Sequence, residues 1–573
     1  MAPLRQAFHE DEDVCKYLID NPAESTALKI AGSTIAHLGS GLVANTNILQ
    51  GRQIFKSKPL IACVDPRLDN ICHYCLKGSE RVPLAEVPTE QPHPKVCTGC
   101  RRARFCSKTC HSKAWKLFHK NECKIIRDSP NLLMSHLALY RLLFWKKGNY
   151  ISDKVATVLS LLEDHFDEYS DTEAGDVLFE FASSIRNTAN PSVALNVVLR
   201  LLPAIQINAV KMRQAEKSGS FGIALDLISC AINHSCEPNA FLYVEDGHII
   251  ARSIRHIPKG EEVTISYCDP MLPLKSRRGY LNEEYFFNCF CKRCESEKRE
   301  QKAMLGSTVT ALKDLQLIQG MLVQLVNNAV VAANNPGKHK HFENLETVEM
   351  NIPTLTRRVI KHGAAWPDHL DPMPLVRNTL AGLYLNKGCH LAAARSSLRG
   401  TLMCRYRNTP EWVNNLCTLT QCLAAIAAGS PDDPIFTSGS FLTLKETQRA
   451  VRGYGMRMCK DAGAVFGGGS KYTHFLCDWF SWVVKTAEPP RPGTAEFEAV
   501  FWEAQKKLLA WADVDLAYCV DPGSSLPEVE DLSKKIGKLR TIGSIENLKA
   551  VSDDDVVDDD ETDEKGADGG EGA

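Results

Sequence analysis

Two kinds of residue pattern in this chain could do chemistry. The first is a ladder of soft metal ligands: Cys72-x2-Cys75, Cys97-x2-Cys100, Cys106-x3-Cys110 and His119-x3-Cys123. Seven thiols and one imidazole suffice for two tetrahedral zinc ions. Each set closes at four ligands and leaves no position for water, which makes the ions structural rather than catalytic. Apolar residues are few here, so ions shared between alternate pairs would hold the segment best. That predicts Cys72, Cys75, Cys106 and Cys110 on one ion and Cys97, Cys100, His119 and Cys123 on the other, with simple pairing order as the rival. A further group, Cys289-x-Cys291-x2-Cys294, lacks a local fourth ligand. Cys236, far upstream, is the expected fourth, making a third zinc site that joins distant parts of the chain.

The second pattern is Ile232-Asn-His-Ser-Cys-Glu-Pro-Asn239. Apolar runs feed it from both sides, Phe221 to Ile232 and Phe241 to Ile250, so it reads as an ordered polar knuckle between strands rather than a surface turn. A weaker pattern is Leu38-Gly-Ser-Gly41. It lacks the third glycine and the following long helix of a dinucleotide site. It remains open between a hairpin turn and a close approach of backbone to a ligand, which glycine permits because it has no side chain.

The elements that must position these residues alternate in type. Ser33 to Asp65 reads as short strands and turns, with Ile48-Leu-Gln-Gly51 leading into Gln53-Ile54-Phe55. Ile257-Pro-Lys-Gly260 followed by Glu262 to Ile265 repeats that shape, which predicts one β domain interrupted by long insertions. Asp246-Gly247 between two alternating runs is a hairpin signal, and Tyr267 ends the strand expected from Val263. Ser107 to Cys123 is expected as a helix with Trp115 and Phe118 on or near one face. Pro130 to Gly219 is expected to be a helical insert. Within it Leu137–Phe144, Val177–Ile185 and Val193–Leu202 carry the apolar spacing, and Ile205 to Val210 begins the return to strands. From residue 300 to 548 a series of helix-like stretches, among them Ala303–Ala329 and Pro353–His362, suggests a stacked solenoid. Leu383 to Gly388 followed by Ala392 to Arg395 has the look of a tetratricopeptide turn, although no 34-residue period recurs.

Composition bounds the rest. A chain of 573 residues predicts three or four folding units. It contains no run of eighteen apolar residues, so no membrane span is expected, and residues 1–20 do not read as a secretory signal. Cytoplasm or nucleus follows as the expected location, where thiols stay reduced. Eleven of the 22 cysteines fall in the ligand groups above, which points to metal rather than disulfides. The final stretch from Val551 holds eleven acids and one lysine, leaving the remainder at about +8; such a tail has almost no apolar surface to bury. Nine Lys or Arg between Lys95 and Lys124 face the single acid Glu122. DNA contact is a weak expectation there, since the spacing is not that of a base-reading finger; a solvated face or a protein contact ranks above it.

On these motifs the chain resembles the SET and MYND domain protein-lysine methyltransferase family, in which a zinc-binding MYND module interrupts a SET domain. The carriers are the Cys72–Cys123 ladder, Gly39-Ser-Gly-Leu42, Asn233 to Asn239, Ile257-Pro-Lys-Gly-Glu-Glu262, Ile265-Ser-Tyr267 and Cys289 to Cys294. The resemblance implies an α+β multidomain chain. Its parts would be 1–71, the first part of a β-rich SET domain; 72–123, the MYND module; and 124–220, a helical insert. They would continue with 221–272, the core SET domain; 273–298, a post-SET zinc segment; 299–548, a helical, tetratricopeptide-like C-terminal domain; and 549–573, an acidic disordered tail. It implies S-adenosylmethionine as cofactor beside three zinc ions, held by Gly39, Ser40, Gly41, Asn208, Asn233, His234, Tyr267 and Phe287. Tyr267 and Tyr285 would line a channel for the lysine of a protein substrate. Where the family carries long polar groups in its glycine turn, this chain has Leu38. Protein partners would use the MYND module and the helical domain, no membrane is implied, and a monomer is expected. The alternative is an adaptor that recruits partners on a catalytically weak or inactive SET scaffold.

Overall fold

The computed structural model describes residues 8–514 except 21, 23, 36–38, 79–92, 171, 216–218, 306–308, 336, 338–342, 357–365, 367, 405 and 485–493. Leu38 and the 549–573 tail lie outside the described residues.

Several small sheets make the β domain, and their pairings span its insertions. One antiparallel sheet runs Glu24–Ser25, Gln53–Ser57, His248–Ser253, Ala240–Glu245. A second runs Ile61–Val64, Ser220–Leu225, Val210–Arg213, and Leu28–Gly32 pairs with Ser40–Ala44. Bridges Val43 to Glu262 and Ile48 to Ile257 tie the early strands to the late ones, so one β domain is interrupted between residues 65 and 210. Asp246 and Gly247 both take positive φ, 49° and 77°, the geometry whose twist matches a two-residue hairpin. Leu42, Ile54, Phe55, Ile249, Ala251, Ile257 and Val263 fill the core between these strands.

The helical insert begins in the cysteine-rich module. Lys108–Ala114, a π turn at Trp115–His119 and Lys120–Asp128 form one continuous helical path. The expectation of Trp115 and Phe118 on one face is corrected, because Trp115 is exposed and Phe118 buried; the π turn shifts the register between them. Glu122 and Arg141 form a buried bidentate pair at 2.6 and 2.8 Å. Arg141 also caps the Phe118 ring and donates to the Ala62 carbonyl, joining module, insert and β sheet. The return to strands starts later than the sequence suggests. Leu195–Asn208 is helical, with Val198, Leu202 and Ile205 buried on one stripe, and the strand begins at Val210.

The C-terminal body is helical, with neighbouring helices packed on one another, among them Met373–Asn386 with His390–Thr401 and Pro410–Ala427 with Leu444–Phe466. The stretch expected over Ala303–Ala329 divides into helices Lys292–Leu305 and Val309–Asn334. Pro353 lies inside Leu345–Thr356, so that helix starts earlier than expected, and the expected continuation to His362 falls outside the described residues. One helix segment, Lys313–Asn334, is long and apolar enough by composition to cross a membrane. Its Leu315, Ile318, Leu322, Leu325, Val326 and Ala329 are buried in the C-terminal core, as in a soluble amphipathic helix.

The body packs on the β domain through a specific seam. Phe241 and Tyr243 meet Phe466 edge-on at 5.5 and 6.2 Å. Lys471 reaches Asp246 at 2.6 Å. Gly51 permits the closest approach, since a Cβ there would stand 2.5 Å from the Ala464 carbonyl.

Candidate active site and metal centres

Three sets of four ligand atoms converge, each with all atoms within 4.8 Å of one another: Cys72, Cys75, Cys106, Cys110; Cys97, Cys100, His119, Cys123; and Cys236, Cys289, Cys291, Cys294. The first two sets are the interleaved arrangement, not the sequence-order one. Sulfurs around one zinc at ~2.3 Å each should lie roughly 3.8 Å apart at the corners of a tetrahedron. Observed separations are 3.6 Å for Cys75–Cys106, 3.4 Å for Cys106–Cys110, 3.9 Å for Cys97–Cys123 and 3.5 Å for Cys236–Cys294. His119 Nε2 stands 3.3 Å from Cys97 Sγ and 3.8 Å from Cys100 Sγ. The residues therefore fit zinc. Backbone N–H groups of Ala103 and Cys106 donate to Cys100 and Cys72 at 3.3 and 3.4 Å, the kind of outer contact that steadies thiolates.

The third set stands beside a cleft of about 620 Å³. Its near wall includes Gly39, Ser40, Asn208, Asn233, Tyr267, Tyr285 and Phe287, and its far wall is the C-terminal body around Tyr406–Glu411. Strand pairing explains the near wall. Asn233–His234 runs parallel to Thr264–Ile265, so Asn233 lies opposite Thr264 and the chain passes on to Tyr267. Tyr267 lies just past the paired residues rather than within a long strand. Helix Leu274–Tyr285 then ends at Phe286, which takes φ 59° and turns the chain so that Phe287 lines the cleft. The rings of Tyr267 and Tyr285 are 4.8 Å apart, and Phe287 meets Tyr267 edge-on at 6.5 Å.

His234 differs from its neighbours. Its ring is 3% exposed and is absent from the cleft lining. Nδ1 accepts the Tyr267 N–H at 3.0 Å, which leaves the ring proton on Nε2, 3.3 Å from Cys236 Sγ. The imidazole thus links the third metal set to the backbone of Tyr267. Burial holds it neutral, with its pKa down at about 4. The Tyr267 hydroxyl donates to the Ile232 carbonyl at 2.6 Å. Burial raises the pKa of both tyrosines, with Cys230 and Glu262 adding to the effect at Tyr267 and Tyr280 to that at Tyr285. Both are neutral phenols over the physiological range.

Asn208 lines the cleft from the last turn of its helix, with Nδ2 donating to the Glu163 and Ala204 carbonyls at 2.8 Å. Other wall residues carried no sequence signal. Glu163 and His165 come from the helical insert, distant in sequence from the motifs, and Cys230 comes from the turn just before the knuckle. His165 stacks on Phe286 at 4.9 Å. Glu262 was visible only as part of a turn motif; it lies 4% exposed beneath Asn233 and the Gly39–Gly41 segment.

The third metal set is braced from behind. Arg277, fully buried, donates to Glu297 at 2.7 Å, and Arg293 donates to Glu297 and to the Cys236 carbonyl at 2.6 and 2.8 Å. Tyr406 of the C-terminal body donates to the same Glu297 at 3.0 Å and lies under Arg293.

Residues 39–268 match the SET domain model. The chain is 28% identical over 275 residues to the SET domain and MYND-type zinc finger protein 6 of Schizosaccharomyces pombe, covering 47% of this chain and 52% of that protein. It is 28% identical over 290 residues to the human Histone-lysine N-methyltransferase SMYD3, covering 49% and 64%, and 27% identical over 280 residues to Histone-lysine N-methyltransferase ASHR1 of Arabidopsis thaliana, covering 46% and 54%. The chain spans between about half and just under two thirds of the length of these relatives. Its SET match, the two interleaved zinc-fitting sets inside that match, and a third set that joins Cys236 within it to Cys289, Cys291 and Cys294 beyond it make the chain similar to the SET and MYND domain proteins.

Proposed function

We propose that this chain methylates lysine side chains of protein substrates with S-adenosylmethionine. The observation that carries this is the convergence on one cleft of Asn233, the Gly39–Ser40 backbone, Asn208, Phe287 and the Tyr267–Tyr285 pair. Bound S-adenosylmethionine supplies a methyl group on a sulfonium, which needs a neutral amine in line with it and no strong acid.

The chain's own residues meet that need by position. A lysine with its ordinary pKa near 10.4 must arrive without its proton, and removal from water between two phenol rings favours the neutral form. The Tyr267 proton is engaged by the Ile232 carbonyl, so its oxygen lone pairs are left to accept from the amine and aim it. A phenol with a raised pKa is a poor general base, and its role is orientation. Asn233, Asn208, Gly39, Ser40 and Phe287 hold the donor; His234 acts from behind by fixing the Tyr267 backbone. The two zinc ions of the module and the third beside the cleft hold structure.

The far wall around Tyr406–Glu411 makes the C-terminal body part of the substrate cleft. Exposed Val96, Trp115 and Leu117 on the zinc module favour a protein contact there, and the packed C-terminal helices suit tetratricopeptide-like stacking against a partner.

The test is methyl-labelled donor with the purified, zinc-loaded chain and a protein extract, followed by mass spectrometry, with Tyr267→Phe as the blank. Labelled lysines seen with wild type and lost in the variant are expected. Absence of S-adenosylmethionine binding to folded protein in titration calorimetry overturns the reading.

A further inference from the structure

The geometry points to Glu262 as a positioning residue for the amino-acid end of the methyl donor, acting through Asn233. This rests on the donor reading of the cleft and deepens it.

Asn233 Nδ2 lies 2.8 Å from the Ser40 carbonyl oxygen and 2.6 Å from Glu262 Oε1. Both of those atoms can only accept. The amide atom facing them must therefore be nitrogen, and the usual ambiguity between amide oxygen and nitrogen is removed by chemistry. Both N–H bonds of Asn233 are spent on the wall, with Ser33 Oγ a further neighbour at 3.2 Å. What Asn233 offers to the cleft is its carbonyl oxygen, an acceptor. An acceptor in a donor pocket of this kind suits an ammonium group, the hydrogen-bond donor of the amino-acid moiety.

Glu262 is what enforces this choice. Its carboxylate is 4% exposed and has no ion-pair partner among the described residues. Instead it collects Ser33 Oγ at 3.0 Å, Thr34 N and Oγ1 at 2.9 Å, and Asn233 Nδ2. A buried carboxylate is tolerable only with several donors turned towards it. Here those donors come from the two sides of the cofactor wall, the segment before the Gly39 turn and the Asn233 knuckle. The fit is close: a Cβ on Gly41 would lie 2.3 Å from Glu262 Oε1. The residual negative charge also sits behind the point where a cation is to be bound.

The experiment compares Glu262→Gln with wild type in two titrations, both on the full zinc-loaded chain. One ligand is S-adenosylhomocysteine, which carries the amino-acid moiety. The other is 5′-methylthioadenosine, which lacks it. Glutamine keeps shape and volume but brings its own amide donors, removes the charge and lets the Asn233 amide turn round. The expected result is a loss of about tenfold or more in S-adenosylhomocysteine affinity, the scale of one misplaced charge-assisted hydrogen bond, with methylthioadenosine affinity unchanged. Equal weakening of both ligands, or of neither, overturns the inference. Should Glu262→Gln not fold, Ser33→Ala removes one donor to Glu262 and one acceptor of the Asn233 amide, and the same selective, smaller loss is expected; a non-selective change overturns it equally. Failure of wild type to bind S-adenosylhomocysteine would instead strike at the methyl-donor reading itself.

Discussion

The metal module at 72–123 and the metal clip at Cys236 and Cys289–Cys294 use the same ligand chemistry at different ranges. In the module, eight ligands interleave within one short segment, and the ions replace a core that the segment is too polar to build. In the clip, Cys294 meets Cys236 across 58 residues of sequence, and the ion fastens the knuckle carrying Asn233 to the helix end carrying Tyr285 and Phe287. The module is attached to the rest through the Glu122–Arg141 pair. The clip is attached through His234 to the backbone of Tyr267. Zinc in the first region folds a part, whereas zinc in the second shapes the cleft.

Removing one ligand from each region should separate these roles most strongly. Cys236→Ala is expected to lower zinc from three to two per chain, abolish donor binding and cost more than about 4 kcal/mol of stability. Cys75→Ala should also lose one zinc by elemental analysis, yet keep donor affinity within roughly threefold, because the sites do not share partners. Equal loss of donor binding in the two variants would break the comparison.

The next effect tests the module's attachment. Arg141→Met strands the buried Glu122 carboxylate, which should cost roughly 3–5 kcal/mol in denaturant unfolding while leaving zinc content at three. On the cleft side, Tyr267→Phe removes a hydroxyl that donates to the Ile232 carbonyl. Stability should change by about 1 kcal/mol, whereas turnover should fall ~100-fold or more at unchanged donor affinity; full turnover would end its proposed role.

The smallest effect lies where the β hairpin meets the C-terminal body. Asp246 on the hairpin contacts Lys77 at 3.3 Å and Lys471 at 2.6 Å. Burial alone would raise its pKa, but the two ammonium groups outweigh it and hold the carboxyl below its usual range. A lowered folded-state pKa means stability that is present above the unfolded value near 3.9 and is lost as pH falls through the folded one. Because these groups are substantially exposed, Asp246→Asn should cost under ~1 kcal/mol at neutral pH. The difference should vanish on acidification or at high salt.

Legibility in the sequence followed the range of the interaction. The module's interleaved pairing was readable because spacing and scarcity of apolar residues both act locally. The hairpin at Asp246-Gly247 was readable for the same reason, since positive φ at two successive positions favours those residue types. The helix through Asn208 was misjudged at its end, because Ile205 and Ile207 fit either period and only burial against the insert decides between them. The joint status of Trp115 and Phe118 was misjudged because a π turn leaves no periodic signature.

By itself, then, the amino-acid order determined which side chains could ligate metal, where the β domain would be interrupted, and that Cys236 had to look far away for partners. Only the tertiary structure decided that His234 lies behind the cleft wall rather than in it, that Glu262 turns the Asn233 amide outward, and that Tyr406–Glu411 supplies the opposite wall. The reason is physical. Ligand type and local backbone preference are properties of short stretches, whereas burial, tautomer and amide orientation depend on atoms brought together from opposite ends of the chain.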